Sequence, residues 1–197
     1  MKLLLHICCA PCSIHPVQVL RADRFDLMGF FYRDNIHPLT ECIKREATLD
    51  AYAESISLKM IYPPGYEMEA FLRGVVFREA QRCAYCYHER LTTAARFAKK
   101  GKFDGFSTTL LYSRFQNHEQ IRAIGETAGK MAGVPFYYRD FREGWKAGID
   151  ESRRLGMYRQ SYCGCIYSEK ERYYRQPAKN TPLSGRATDR LSSRQGR

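Results

Sequence analysis

The sequence predicts an α/β fold in which a mostly parallel, open sheet carries helices on both faces. Three observations point there. Strand-like and helix-like segments alternate along the first 155 or so residues, the pattern of repeated β-α units. The opening run, Lys2 to Ile7, is short and apolar and reads as a buried first strand. At 197 residues, with 44% hydrophobic and 13% aromatic residues, the chain is long enough for one well-packed domain and short for two.

The elements follow in order. After the first strand, Ser13 to Arg24 reads as a helix with Ser13 as its N-cap. Asp26 to Tyr32 is a second strand, and Asp34 to Pro38 a turn. A long helix is expected from Leu39 to about Ser57, then a third strand from Leu58 to Tyr62, closed by Pro63-Pro64-Gly65. Glu67 to Arg73 reads as a short helix and Tyr85 to Lys100 as a longer one ending at Gly101. Phe103 to Leu111 is a fourth strand, Asn117 to Ala132 a helix stopped by Gly133, Val134 to Phe141 a fifth strand, and Glu143 to Leu155 a last helix. Stacked in this way the layers are Rossmann-like, a sheet between two helical layers, over residues 1–176. From Pro177 to Arg197 large apolar residues are almost gone, and the segment reads as a disordered basic tail.

The formal charge is +11. The tail holds five basic residues against Asp189, so +4 lies there and +7 remains on the body. A solvated cationic surface is one explanation; a polyanionic partner, whose phosphates release counterions on binding, is the other. No apolar run approaches the ~20 residues that span a bilayer. The apolar stretch at the start is too short for a signal peptide and Cys8-Cys9 interrupts it. The chain is therefore expected in the cytoplasm, away from membranes, where eight cysteines speak for metal or redox chemistry and not for a disulfide framework.

Three cysteine groups stand out. Cys8-Cys9-Ala10-Pro11-Cys12 follows the first strand, where a nucleotide-binding sheet would carry a Gly-rich phosphate loop. A helix N-terminus there favours the thiolate. Cys83-Ala84-Tyr85-Cys86 is a second C-x-x-C at a helix entry. Cys83 and Cys86 with two of Cys8, Cys9 and Cys12 supply four thiolates, and spacing alone leaves zinc and a [4Fe–4S] cluster equally open. Cys163-Gly164-Cys165 closes a disulfide only as a tight, strained ring, which is easily reduced and so suits an electron relay, the alternatives being a pair of ordinary thiols or two further metal ligands. Cys42 stands alone in a helical pattern and reads as packing. His37 and His118 are candidates for lining a site, weighed against ordinary structural roles. Trp145 reads as core, and Tyr137-Tyr138-Arg139 and Tyr173-Tyr174-Arg175 mix aromatic and basic residues in a way that suits stacking on bases.

From Leu4 to about Tyr174 the chain resembles the epoxyqueuosine reductases of the QueH type. The carriers are Leu5-His6-Ile7-Cys8-Cys9-Ala10-Pro11-Cys12-Ser13, Asn35-Ile36-His37-Pro38, Arg82-Cys83-Ala84-Tyr85-Cys86-Tyr87, Thr108-Thr109-Leu110-Leu111, Asp140-Phe141-Arg142, and Tyr158-Arg159-Gln160-Ser161-Tyr162-Cys163-Gly164-Cys165. Arg114, in Ser113-Arg114-Phe115-Gln116, stands where the pattern has Pro. The resemblance implies that Cys8, Cys9, Cys83 and Cys86 hold a [4Fe–4S] cluster, that an additional iron lies near it, and that Cys163 and Cys165 are a redox-active pair. Cys12 is then a spare thiol. It implies a reaction, the two-electron removal of the epoxide oxygen of epoxyqueuosine in a tRNA anticodon to give queuosine, and two partners, that tRNA and an unidentified electron donor. The competing expectation is a zinc-stabilised tRNA-binding module without redox activity. A nucleotide-dependent sulfurtransferase on the same sheet is opposed by the missing Gly-rich loop.

Overall fold

The computed structural model describes residues 1–174; the basic tail lies outside the described residues. Four parallel strands make one sheet: β1 (Lys2–Ile7), β2 (Asp26–Phe31), β3 (Lys59–Ile61) and β4 (Gly105–Thr108), in the order β3-β2-β1-β4. β1 is central, pairing Leu4 with Met28 of β2 on one side and with Phe106 of β4 on the other. Leu3, Leu4, Leu5, His6 and Ile7 are all buried, so both faces of this strand are covered and its sequence does not alternate.

Seven α-helices are described: α1 (Ala10–Ala22), α2 (Leu39–Ser55), α3 (Met68–Val75), α4 (Arg82–Lys100), α5 (His118–Ala132), α6 (Trp145–Arg154) and α7 (Ile166–Tyr173). The chain steps from β1 to β3 in one direction and then returns past β1 to β4. Right-handed crossovers place α1 and α2 on one face and α4 on the other. Packing agrees: α1 touches α2 and α6, and α4 touches α5. Among the described residues no helix is long and apolar enough to cross a membrane.

Several boundaries differ from the sequence expectation. α1 starts at Ala10, three residues before Ser13, with Cys9 in the extended N-cap position and Pro11 in the first turn, where a missing N–H costs nothing. The Ser13 hydroxyl donates to Ala10 O at 2.8 Å and caps nothing. β4 ends at Thr108, whose Oγ1 accepts from Leu110 N at 3.1 Å and turns Thr109–Tyr112 into a 3-10 helix. The expected fifth strand does not form. Phe136 makes a single bridge to Phe106, and Pro135, with no N–H to give, stops the ladder on one side. α5 matches expectation at both ends: Asn117 Oδ1 accepts from Gln120 N at 3.1 Å, and Gly133 takes the left-handed conformation (φ 68°). α7 had no signal in the sequence pattern.

Candidate active site

β1 ends at the point where the crossovers on either side leave in opposite directions, which is where open parallel sheets bind ligands. A cleft of about 620 Å³ opens there, and Cys8, Cys12, Cys83, Cys86, Cys163 and Cys165 all line it. Cys9 is buried behind them. The Sγ atoms of Cys8, Cys9 and Cys12 lie within 4.8 Å of one another, because the strand-to-helix turn folds them onto one corner.

This corner favours one negative charge on three sulfurs. Hydrogen bonds from the Cys12 and Cys9 thiols hold Cys8 well below the usual thiol range, against the cost of burial, with the Arg90 charge helping. Cys9 is pushed up, mainly by burial. Cys12 is pushed up, mainly by its hydrogen bond to Cys8. From outside the corner, Gln160 Nε2 donates to Cys9 Sγ at 2.9 Å, while Gln160 Oε1 is buried without a partner among the described residues.

Cys83 and Cys86 lie on the first turn of α4. One turn further on, Arg90 is 3% exposed and donates from Nε to Cys86 Sγ at 3.2 Å, an i,i+4 contact. Its Nη2 donates to Asn35 O at 3.3 Å, and Asn35 Nδ2 donates in turn to Cys86 Sγ at 3.3 Å. Arg90 Nη1 lies 3.2 Å from His6 Nε2. A guanidinium has only donors, so that imidazole nitrogen accepts, and the His6 proton sits on Nδ1, facing Thr108 Oγ1 at 2.8 Å. Burial, then the Arg90 charge, lower His6 to about 3, so it is neutral. Among the described residues Arg90 has no carboxylate partner within 4 Å.

Cys163 and Cys165 are free thiols on the segment that leads into α7. Gln116 Nε2 donates to Cys163 Sγ at 3.3 Å, and Cys165 Sγ is 3.7 Å from Ser168 Oγ. The backbone of this segment is held by a second buried guanidinium. Arg45, on α2, donates to Cys163 O at 2.8 Å and to Tyr162 O at 3.0 Å. Arg45 is itself paired with Glu41 at 2.7 Å, and the Tyr158 hydroxyl donates to the other Glu41 oxygen. His37 N donates to Gly164 O at 2.7 Å, and Tyr162 OH to His37 O at 2.6 Å.

Residues 3–171 match the family model described as epoxyqueuosine reductase QueH. The chain belongs to this family, and it is an oxidoreductase. Similar relatives carrying that description come from Dehalococcoides mccartyi and Thermotoga maritima. The first is 33% identical over 87% of this chain and 94% of the relative. The second is 36% identical over 86% of this chain and 91% of the relative. Among solved structures, a predicted subunit of tRNA methyltransferase from Methanocaldococcus jannaschii superposes with a TM-score of 0.54 over 78% of this chain and 74% of that one. At 9% identity this likeness shows the α/β fold alone.

In this QueH-family chain the structure gathers every cysteine singled out in the sequence except Cys42, which is buried near Arg33 O at 3.9 Å and serves packing. The tightest sulfur group is Cys8, Cys9 and Cys12, so Cys12, the spare thiol of the sequence reading, stands inside it. Cys83 and Cys86 share the cleft with Cys8. His37 orders its own loop, with Nε2 2.7 Å from Asp34 O, and does not line the cleft. His118 lies behind the 113–116 loop, 3.3 Å from Ser113 O. Trp145 is half-buried and lines the cleft. Tyr137 packs on Phe25 and Tyr138 under Arg122, away from the cleft. Sequence reasoning missed Arg90 and the Arg45–Glu41 pair. The signal for each was an i,i+4 spacing, Cys86 to Arg90 and Glu41 to Arg45.

These residues fit a thiolate-bound metal group. The donors are soft sulfurs on three rigid strand or helix ends, and Arg90 sets a buried positive charge beside them, which a group of net negative charge would answer.

Proposed function

We propose that the chain reduces the epoxide of epoxyqueuosine in a tRNA anticodon to the alkene of queuosine, in the cytoplasm. The observation that carries this is the convergence of thiols from three distant segments on one cleft, around a cation that lacks a carboxylate. The reaction consumes two electrons and two protons and releases the epoxide oxygen as water.

In this reading Cys8, Cys9, Cys83 and Cys86 hold a [4Fe–4S] cluster. Cys12 lies beside Cys8 and Cys9, and the further iron would be assigned to no residue. When bound, the cluster supplies electrons one at a time and an iron with an open position is a Lewis acid toward the epoxide oxygen. The chain's own groups do the rest. Arg90 and Asn35 orient Cys86 through its sulfur. Gln160 holds Cys9, and Gln116 orients Cys163. Two thiols, Cys163 and Cys165, close to a disulfide and so release two electrons and two protons, the number the reaction consumes. An external donor of electrons then reopens them. Arg45 keeps their backbone in place during both states.

Anaerobically purified protein should contain iron and sulfide together. Incubated with a reductant and epoxyqueuosine-bearing tRNA, and digested to nucleosides, it should give queuosine. Full iron loading without queuosine would overturn the substrate, and stoichiometric zinc without sulfide would replace the reductase by a zinc-stabilised tRNA-binding module. Cys163→Ser should keep its iron and lose turnover; retained turnover would remove the relay.

A further inference from the structure

The lip of the cleft is cationic and aromatic, and neither property serves the thiols. Four arginines line the cleft, Arg82, Arg90, Arg159 and Arg172, against one acid, Glu171, and a fifth, Arg114, stands beside it against Trp145. Glu171 is paired with Arg82, and Arg90 is buried inside. Arg114, Arg159 and Arg172 have no carboxylate partner within 4 Å among the described residues. They come from three separate segments, the 113–116 loop, the stretch before Cys163, and α7. Like charges collected around a concavity focus a field that attracts anions.

Beside them Phe115 is 84% exposed, a large apolar ring left in water at the mouth of the cleft. It stands edge-on to Trp145, with centroids 5.7 Å apart at 78°. The Arg114 guanidinium lies 5.9 Å from the Trp145 ring centre. Trp145 is fixed from behind: Tyr112 packs on it at 5.2 Å and its hydroxyl donates to Trp145 O at 3.0 Å. That approach requires Gly148, where a Cβ would fall 2.2 Å from the Tyr112 hydroxyl oxygen. The platform is therefore rigid on the tryptophan side. Its neighbour in sequence, Gln116, touches Cys163 Sγ.

We infer that this lip reads an unpaired RNA loop: a base adjacent to the modified one stacks on the exposed ring of Phe115, which Trp145 buttresses edge-on, and Arg114, Arg159 and Arg172 take the phosphates around it. The inference rests on the proposed function for the choice of tRNA. A stacked base on Phe115, one residue from Gln116, delivers its neighbour in the strand toward the thiols. Exposed bases stack on aromatic rings regardless of their identity, while a duplex keeps them hidden.

The test uses the full chain and a fluorescent anticodon stem-loop, with binding followed by anisotropy over a range of salt. Phe115→Ala, a change at an exposed ring that leaves the core alone, should weaken binding about tenfold. Arg114→Gln, Arg159→Gln and Arg172→Gln should each flatten the slope of log affinity against log salt by about 0.7. Arg122→Gln, an exposed arginine outside the cleft, should keep the wild-type slope. A blunt RNA duplex of equal charge should compete at least tenfold less well than the stem-loop. Wild-type affinity in Phe115→Ala, slope losses no larger than that of Arg122→Gln, or equal competition by the duplex would overturn the inference. Loop binding that follows these expectations without any queuosine would fault the proposed chemistry instead.

Discussion

Arg45 and Arg90 are both buried, at 1% and 3% exposure, and both reach a cysteine segment, yet their surroundings differ. Arg45 has a carboxylate of its own, Glu41 at 2.7 Å, and spends its remaining donors on backbone carbonyls. It is a clamp complete in itself. Arg90 has a thiol, a neutral imidazole and a carbonyl. Its charge is answered by no carboxylate among the described residues, so it is matched to sulfur anions. One site therefore contains two uses of the same side chain, holding a backbone and balancing thiolates.

Removing each guanidinium separates these uses. Arg45→Met strands Glu41 in the interior and should cost the metal-free protein about 3–5 kcal/mol, read by denaturant unfolding. Arg90→Met removes a cation that lacks a carboxylate, and should destabilise the metal-free protein less than Arg45→Met does. Its larger effect should appear at the proposed metal centre, with metal affinity down by about 10–100-fold in a chelator competition. Equal unfolding losses with unchanged metal affinity would erase the distinction.

The neutral imidazole beside Arg90 sharpens it further. The folded pKa of His6 is lowered to about 3, so the unfolded chain takes up its proton first. The associated stability is complete above the ordinary pKa of about 6.5 and drains away as pH falls toward 3, by about 1.4 kcal/mol per pH unit. His6→Gln should remove that slope from the acid side of the stability profile; an unchanged slope would mean that another group carries it. An exposed arginine gives the smallest effect. Arg142 holds Asp140 at about 2 through hydrogen bonds at the surface, where water screens the pair. Asp140→Asn should change stability by less than about 1 kcal/mol in thermal unfolding.

The parts of the molecule legible in its sequence were those written locally. The apolar run of β1, the Asn117 and Gly133 ends of α5, and the three cysteine groups all carry their signal within a few residues. The buried pairing of Arg90 with His6 joins positions 84 residues apart, and only the sheet brings them together. Trp145 looked like core because its ring is large; the packing that fixes it comes from Tyr112, and its free face is decided by what does not cover it. The fifth strand is cut short on one side at Pro135, which has no donor for the ladder despite the favourable aromatic residues that follow. The cysteine corner was legible as a cluster, while its internal arrangement, with Cys12 close to Cys8 and Cys9, depended on α1 beginning earlier than Ser13 suggested.

The hydrogen bond from Gln160 to Cys9 spans 151 residues. A ribosome adds about 5–20 residues per second, so the cysteine corner is on the order of ten seconds old before its last donor is made. During that interval the early thiols are present without the late pair, without Gln160 and without the Arg45 clamp on the segment that carries them. Assembly of the complete site is thus a late event in the life of the chain, and a translation product cut short before residue 160 would carry bare, unguarded cysteines in place of a working centre.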